Sequence, residues 1–338
     1  MNAVTGGTGL VGAHLLYKLA AKGEQIKALK RKNSSTDFVK KVFSWYSDNP
    51  EQLFSKIQWI EGNLLDIFSL ENLIQDTNIL YHTAAVVSFE KKDRELLLKT
   101  NIEGTANLIN VLLDHKETKL CYVSSTGALG RSSDKEKPIT EKTHFSSSVN
   151  PSVYSVSKYE SEREVWRGIE EGLNAVIVNP SIILGPGNWN KGSAKLFETV
   201  YNGLFFYTAG SNGFVYVNDL TEIMILLAES NISGQQFIVN AENISYENLF
   251  KWIATALKVK PPNKKAGKIL SELSWRVLEL RRIITGKTSS ITRETTNTAQ
   301  QTYYYNNQKL LKYIDFQYTP IIKAIEQTAE IFLKEKAG

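Results

Sequence analysis

The chain has 338 residues, of which 42% are hydrophobic and 22% charged, and its formal net charge is +5. This composition is typical of a globular protein with a large core, and the mild, dispersed charge argues against nucleic-acid binding. No apolar run is long enough to cross a membrane, and the single cysteine, Cys121, excludes an internal disulfide.

The first predicted strand starts almost at Met1 and leads into a glycine-rich turn. The turn and the start of the helix after it comprise Thr5, Gly6, Gly7, Thr8, Gly9, Leu10, Val11 and Gly12. Glycines here permit a tight turn, close approach of a pyrophosphate and close packing of the helix, whose N-terminus favours negative charge. The segment therefore predicts dinucleotide binding rather than an ordinary loop. Because the strand starts so early, we expect no signal peptide and a cytoplasmic protein.

A basic loop follows the second predicted strand, residues 25–29. Arg31 lies nineteen residues past Gly12, where a carboxylate would bind the adenosine ribose of NAD. A guanidinium offers a fork of donors that suits a ribose 2′-phosphate. We therefore expect NADP rather than NAD as cofactor; the alternative is a solvated basic loop.

Residues 57–66 predict a third strand and a turn, and residues 78–85 a fourth strand that ends in small residues; both contain residues assigned to the cofactor. Asp66, next to Leu65, either accepts from the adenine amino group or caps the following helix, and the sequence leaves both open. The small residues Thr83, Ala84 and Ala85 leave space beneath a cofactor. His82 is expected to be a hydrogen-bonded core histidine. Residues 91–115 have helical periodicity, with Asn101 on an otherwise apolar face.

The fifth strand, residues 119–123, contains Cys121 as a buried residue and leads into Ser124, Ser125 and Thr126. Tyr154 and Lys158 follow, four residues apart on one helix face. A sixth strand at 175–178 completes an α/β pattern that predicts a Rossmann-type doubly wound parallel sheet over residues 1–187. Residues 188–338 are expected to form a smaller, mostly helical substrate lobe, with strands at 214–217 and 236–239 (which could complete the main sheet) and helices near 246–257, 268–284 and 320–335.

The order of these motifs resembles the extended short-chain dehydrogenase/reductase superfamily, also called the NAD-dependent epimerase/dehydratase family. The resemblance implies hydride transfer at nicotinamide C4. It implies Tyr154 as general acid/base, with a pKa lowered by Lys158 and the nicotinamide cation. Lys158 would also hold the nicotinamide ribose, and Ser125 would polarise the substrate carbonyl. Asn101 would order the site, and Pro180 and Ile182 would contact the cofactor.

Within the superfamily, residues 124–130, 291–294 and 303–306 look like dihydroflavonol reductases, cinnamoyl-CoA reductases and hydroxysteroid dehydrogenases. Sugar-nucleotide dehydratases place an acid pair where this chain has Thr126 and Gly127. Epimerases usually carry a tyrosine at Leu129 and an arginine clamp, for which Arg293 is the plausible late residue. The expected pocket is apolar and suits a hydrophobic ketone or aldehyde, although about half of its residues could instead fill the lobe interface. It comprises Val86, Val87, Phe89, Thr126, Phe145, Trp189, Phe205, Phe206 and Tyr207.

Two other functions stay open: a sugar-nucleotide epimerase, and a non-catalytic NADP sensor, which would usually lose the tyrosine or the lysine. No metal site is predicted. The basic amphipathic segment at 264–287 is expected to be a lid helix with a solvated face rather than a membrane-surface helix. A homodimer is compatible with the sequence.

Overall fold

The computed structural model describes residues 1–88, 90–131, 137–145, 151–266 and 300–337. Seven parallel strands form the central sheet, in the order β10-β6-β5-β4-β1-β2-β3. The order runs outward in both directions from β1 and β4, which makes the gap between them the switch point where such sheets bind ligands. The strands are β1 (Asn2–Thr5), β2 (Ile26–Lys30), β3 (Ile57–Glu61), β4 (Ile79–His82), β5 (Lys119–Val123), β6 (Ala175–Pro180) and β10 (Gln235–Val239).

Helices cover both faces of this sheet, as the sequence predicts for a doubly wound fold. They are α1 (Leu10–Ala21), α2 (Asp37–Tyr46), α3 (Pro50–Phe54), α4 (Ile67–Ile74), α5 (Arg94–Leu98), α6 (Gly104–Leu113), α7 (Val153–Glu170), α8 (Lys195–Tyr201), α9 (Val217–Glu229), α10 (Tyr246–Ala256), α11 (Gln308–Tyr313) and α12 (Ile321–Ala337).

Alternate residues of the central strands point to opposite faces of the sheet, and each face has its own core. One core contains Val4, Tyr81 and Cys121, covered by α1, α2 and α9; the other contains their neighbours Ala3 and Leu80, covered by α4, α6 and α7. Cys121 is buried and free, as expected. Full burial of each large side chain stabilises the fold by about 1.5–3 kcal/mol.

The second half of the chain builds a smaller core around a three-stranded sheet. Its strands are β7 (Ile182–Leu184), β9 (Ser211–Tyr216) and β11 (Glu242–Ser245). Helices α8, α10 and α12 pack on it through Phe197, Ile253 and Phe332. A two-residue pair, β8 (Phe206–Tyr207) with β12 (Lys264–Lys265), lies apart from both sheets. The predicted strand near 236–239 is β10, which joins the main sheet beside β6. The predicted boundary between the two domains at residue 187 stays a prediction.

The expected helix over 91–115 is interrupted. Residues 99–103 form a π-helical turn between α5 and α6, with Asn101 buried inside it. Such turns widen a helix locally and are frequent at functional sites. The helix expected at 268–284, most of the basic segment 264–287, the motif at 291–294 and Arg293 lie outside the described residues. Within the part that is described, no helix is long and apolar enough to span a membrane.

Candidate active site

The glycine turn after β1 lies against the end of β4, at the switch point of the sheet. Gly6 has a φ of +73°. A Cβ at Gly6 would lie 2.6 Å from the backbone nitrogen of Ala84. A Cβ at Gly12 would lie 2.2 Å from the carbonyl oxygen of Gly6, so this glycine lets α1 pack on the turn itself. These positions require glycine, because any side chain would displace backbone.

This turn leaves the first N–H groups of α1 for a ligand. Gly9 is the N-cap, and no side chain caps the helix. The first turn of α1 carries no acidic residue, so its positive end has no neutralising carboxylate. An uncapped helix start beside a turn closed to side chains fits the pyrophosphate of a dinucleotide. Thr8, Leu10 and Val11 are half-buried at this edge.

The residues after β4 are held by β1. The Thr83 hydroxyl donates to the Thr5 carbonyl at 2.7 Å. The Thr5 hydroxyl lies 2.6 Å from Nδ1 of His82, and Nε2 of His82 lies 3.1 Å from the Thr105 hydroxyl. Burial lowers the pKa of His82 to about 3. His82 is therefore a neutral core residue with both nitrogens satisfied, as the sequence predicts.

Arg31 and Asp66 lie at the opposite end of the predicted cofactor site. Arg31 is exposed directly after β2, and within the described parts of the chain no side chain pairs with its guanidinium. Asp66 occupies the N-cap of α4, yet its side chain makes no capping hydrogen bond. Its carboxylate is thus not used by the helix. Leu65 beside it is exposed.

Asn101 joins three elements around the π-helical turn. Its Oδ1 accepts from the backbone N–H of Val86 at 2.7 Å, and its Nδ2 donates to the Val86 carbonyl and to the Ser157 hydroxyl, both at 3.0 Å. The Ser161 hydroxyl donates to the Asn101 carbonyl at 2.7 Å. These hydrogen bonds hold the segment after β4 against α7. Asn101 therefore links these segments, and the site-ordering role that the resemblance implies stays a prediction.

Ser125 and Tyr154 meet at the carboxyl end of β5. Ser125 caps a short 3₁₀ turn by accepting from the Gly127 N–H at 3.0 Å. Burial raises the pKa of Tyr154, and a hydrogen bond with Ser125 opposes this rise. The two hydroxyls are adjacent, as hydride chemistry at a carbonyl would need.

The side chain of Lys158 reaches the carboxyl end of β5. Its ammonium donates to the Val123 carbonyl at 2.7 Å and to the Tyr122 hydroxyl at 3.1 Å, and stands 4.6 Å from the centre of the Tyr122 ring. Burial lowers the pKa of Lys158 to about 7. Lys158 lies one helical turn beyond Tyr154 on α7, and the lowering of the Tyr154 pKa by Lys158 and the nicotinamide cation stays a prediction.

The residues expected to line the substrate pocket divide into two groups. Phe145 stacks on Tyr159, with ring centres 4.3 Å apart, and borders a small cleft with Gly127 and Ser155. Trp189 differs from the expectation: it is buried, donates to Glu335 at 2.7 Å and packs on Phe332. Trp189 holds α12 to the smaller lobe, because the acceptor of its indole N–H, Glu335, is on α12.

The other pocket residues lie at the surface or in the loops around the cleft. Val87, Phe205 and Phe206 are exposed. Thr126 forms a hydrogen bond with Tyr305, from the late stretch at 303–306. Phe89 lies outside the described residues. Val86, Ala85, Tyr207, Pro180 and Ile182 are half-buried or buried near the carboxyl ends of β4, β6 and β8, and their roles stay predictions.

Two buried groups at the site were not predicted from the sequence. Glu162 lies one helical turn beyond Lys158, and the hydroxyl of Ser124 donates to it at 2.5 Å. Tyr122 lies beneath the ammonium of Lys158. The signal for Glu162 was its spacing: an acidic residue four positions after Lys158 shares its helix face. Tyr122 carries no comparable signal, since an aromatic residue in a buried strand is ordinary core.

Three comparisons with known proteins agree on the fold. The family model described as NAD dependent epimerase/dehydratase family matches residues 3–241. A Synechocystis protein with the provisional name dihydroflavonol 4-reductase is 26% identical, over 97% of this chain and 93% of its own. The crystal structure of gox2253 matches with a TM-score of 0.81 and 28% identity, covering 99% of this chain and 98% of that one. A Thermotoga maritima UDP-glucose 4-epimerase, solved with UDP-glucose, shares the fold with a TM-score of 0.76 at 19% identity, covering 99% and 100%.

Proposed function

This chain belongs to the NAD dependent epimerase/dehydratase family, within the extended short-chain dehydrogenase/reductases, and we propose that it is an NADP-dependent oxidoreductase. Its proposed reaction is the reversible reduction of a hydrophobic ketone or aldehyde to the alcohol. The observation that carries the proposal is the pairing of the Ser125 and Tyr154 hydroxyls at the sheet edge that also holds the glycine turn.

The proposed chemistry assigns one task to each side chain. The bound dinucleotide supplies a hydride. Ser125 donates a hydrogen bond to the substrate carbonyl oxygen and polarises it. Tyr154 gives its phenolic proton to the same oxygen as negative charge develops there. Lys158, whose ammonium is charged below a pKa of about 7, binds the ribose hydroxyls. Its positive charge near the phenol favours the phenolate form of Tyr154.

The preference for NADP rests on the exposed basic end of β2. Arg31 stands where a carboxylate would select NAD, and no described side chain competes for its guanidinium. A charged fork of donors binds a 2′-phosphate well, and a ribose hydroxyl poorly.

The preference for a hydrophobic carbonyl rests on the aromatic residues around the cleft. Phe145 stacked on Tyr159 gives the cleft an apolar wall. The name of the Synechocystis relative, dihydroflavonol 4-reductase, also describes a reductase. Apolar walls with a few convergent polar groups are typical of pockets for small organic molecules.

A panel of aromatic and alicyclic ketones and aldehydes tests the proposal. NADPH oxidation is followed for the wild type, and UDP-glucose and UDP-galactose are offered in parallel. We expect reduction of at least one hydrophobic carbonyl and faster turnover with NADPH than with NADH. Interconversion of the UDP-sugars without net NADPH oxidation would favour the epimerase instead. Cofactor binding with no turnover of either class would favour the sensor. A homodimer stays a prediction.

A further inference from the structure

A buried carboxylate that the reaction above does not use lies directly behind its catalytic groups. Glu162 is on α7, the helix that carries Tyr154 and Lys158, and is only 6% exposed. Charged groups are rarely buried unless they are paired and hydrogen-bonded. Its neighbours therefore indicate what holds it there.

Three neutral side chains donate to Glu162: one directly follows β5, and the others are on the neighbouring strands β6 and β10. The Ser124 hydroxyl donates to Oε2 at 2.5 Å, Nδ2 of Asn179 to Oε2 at 2.8 Å, and Nε2 of Gln236 to Oε1 at 2.6 Å. The indole of Trp166, one turn along α7, adds a further hydrogen bond. Burial raises the pKa of Glu162, and the hydrogen bonds from Ser124, Asn179 and Trp166 oppose this rise because they favour the ionised carboxylate.

Asn179 extends this network to Ser125. The same Nδ2 that donates to Glu162 also donates to the backbone carbonyl of Ser125 at 3.0 Å. Because the carboxylate and the Ser125 carbonyl both only accept, both select the Nδ2 end of Asn179, which bridges them. The Oδ1 of Asn179 correspondingly has no hydrogen-bond partner within the described chain. A neutral amide at position 162 has one acceptor oxygen instead of two, and would weaken this bridge.

Glu162 also faces Lys158 electrostatically. Its negative charge favours the ammonium of Lys158, against burial, which disfavours it. The other titratable groups packed around the lysine are Tyr122 on β5 and His82 on β4. Burial holds the pKa of His82 at about 3 and that of Tyr122 well above its ordinary value. The ammonium of Lys309, on α11, donates to the Gln236 carbonyl on β10. Burial also raises the pKa of Glu162 and that of Tyr154, and the pKa of about 7 places the titration of Lys158 near neutral pH.

We propose that Glu162 is a positioning residue: through Asn179 it fixes the loop that carries Ser125, and by its charge it keeps Lys158 protonated. The proposal rests on the function proposed above. It assigns to one carboxylate the alignment of the hydroxyl that polarises the substrate and the charge that holds the cofactor ribose.

The test compares Glu162→Gln with Glu162→Asp and with Glu160→Gln as a matched control. Glu160 is on the same helix but at the surface, where it pairs with Arg163. For each protein, NADPH affinity is titrated across neutral pH, kcat and KM are measured for an accepted carbonyl, and thermal unfolding reports folding. The same cofactor is used throughout, so titration of its own phosphate cancels between variants.

We expect Glu162→Gln to lower kcat at least tenfold with a smaller change in KM. The pH at which NADPH affinity is lost should be about one unit lower in this variant than in the wild type. Glu162→Asp should keep the wild-type pH dependence, because it keeps the charge, and Glu160→Gln should match the wild type throughout. An unchanged pH dependence in a folded Glu162→Gln protein would overturn the proposal.

If Glu162→Gln does not fold, Ser124→Ala replaces it, because this change removes one donor and leaves the carboxylate. A reduced kcat with intact NADPH affinity is then expected, and wild-type kcat would overturn the proposal. The NADPH titration needs no substrate. If no carbonyl is reduced by the wild type, the proposed function fails, while the titration still decides whether Glu162 sets the charge of Lys158.

Discussion

The ammonium of Lys158 lies 2.7 Å from the backbone carbonyl oxygen of Val123, two residues before Ser125. This contact ties the helix that carries Tyr154 to the strand that carries Ser125. A buried ammonium costs free energy unless it is hydrogen-bonded, so the carbonyl and the Tyr122 hydroxyl stabilise it where they are. Lys158 therefore has a structural as well as a chemical task, and its substitution should differ measurably from that of Tyr154.

Tyr154→Phe should lose turnover alone. It removes one oxygen and keeps the ring, so folding and NADPH affinity should survive, whereas loss of a positioned general acid typically lowers the rate by about 10²–10⁴. Lys158→Met should lower both turnover and NADPH affinity. Steady-state rates and fluorescence titration of NADPH separate the two outcomes. Near-normal turnover of Tyr154→Phe would show that another group donates the proton.

Arg31→Ala should weaken NADPH binding and leave NADH binding unchanged. The expected loss is about 1.5 kcal/mol or more, at least tenfold in Kd, because a charge-assisted hydrogen bond to phosphate is removed. Arg163→Ala is the control, since Arg163 is also exposed but pairs with Glu160 on α7. Equal wild-type affinities for the two cofactors would contradict the assignment of Arg31.

Gly6→Ala should abolish cofactor binding, and Gly23→Ala should not. Both glycines have positive φ, +73° and +95°, so alanine strains either position by roughly 1–2 kcal/mol. Only at Gly6 does the new Cβ meet backbone, 2.6 Å from the nitrogen of Ala84; at Gly23 nothing lies within 4 Å. Chemical unfolding and NADPH titration of both variants test this. Normal NADPH affinity in Gly6→Ala would mean that the turn does not bind the cofactor.

Stability should fall as the pH drops below about 6.5, and His14 should contribute. Burial lowers the pKa of His14 from 6.5 to about 4, so the unfolded chain takes up the proton first and stability is lost as pH falls from 6.5 to 4. At about 1.36 kcal/mol per pH unit, this amounts to about 3 kcal/mol.

Replacing His14 should flatten that part of the curve. His14→Leu keeps an apolar side chain against Trp45 and Tyr46 and has no proton to gain. Unfolding free energies from urea titrations at several pH values across this range give the slope for both proteins. A slope in His14→Leu equal to that of the wild type would exclude His14 as the source.

The sequence by itself predicted the features that depend on local order along the chain. Alternating strands and helices implied the parallel sheet, because period and length distinguish buried strands from amphipathic helices. The glycine spacing after β1 implied the turn, because only glycine tolerates its backbone. The spacing of Tyr154 and Lys158 placed both on one helix face.

Contacts between distant segments were decided only by the tertiary structure. The sequence could not show that Glu162 binds Ser124, Asn179 and Gln236, because those residues lie on or directly after three different strands that only the sheet brings together. It assigned Trp189 to the pocket, but the position of α12 gives its indole a partner in the smaller lobe. It placed Lys158 on the helix face of Tyr154, but only the order of the strands could show that the Val123 carbonyl and the Tyr122 hydroxyl bind its ammonium. Spacing along a chain determines which residues share a face, whereas hydrogen-bond partners are determined by which faces the fold brings into contact.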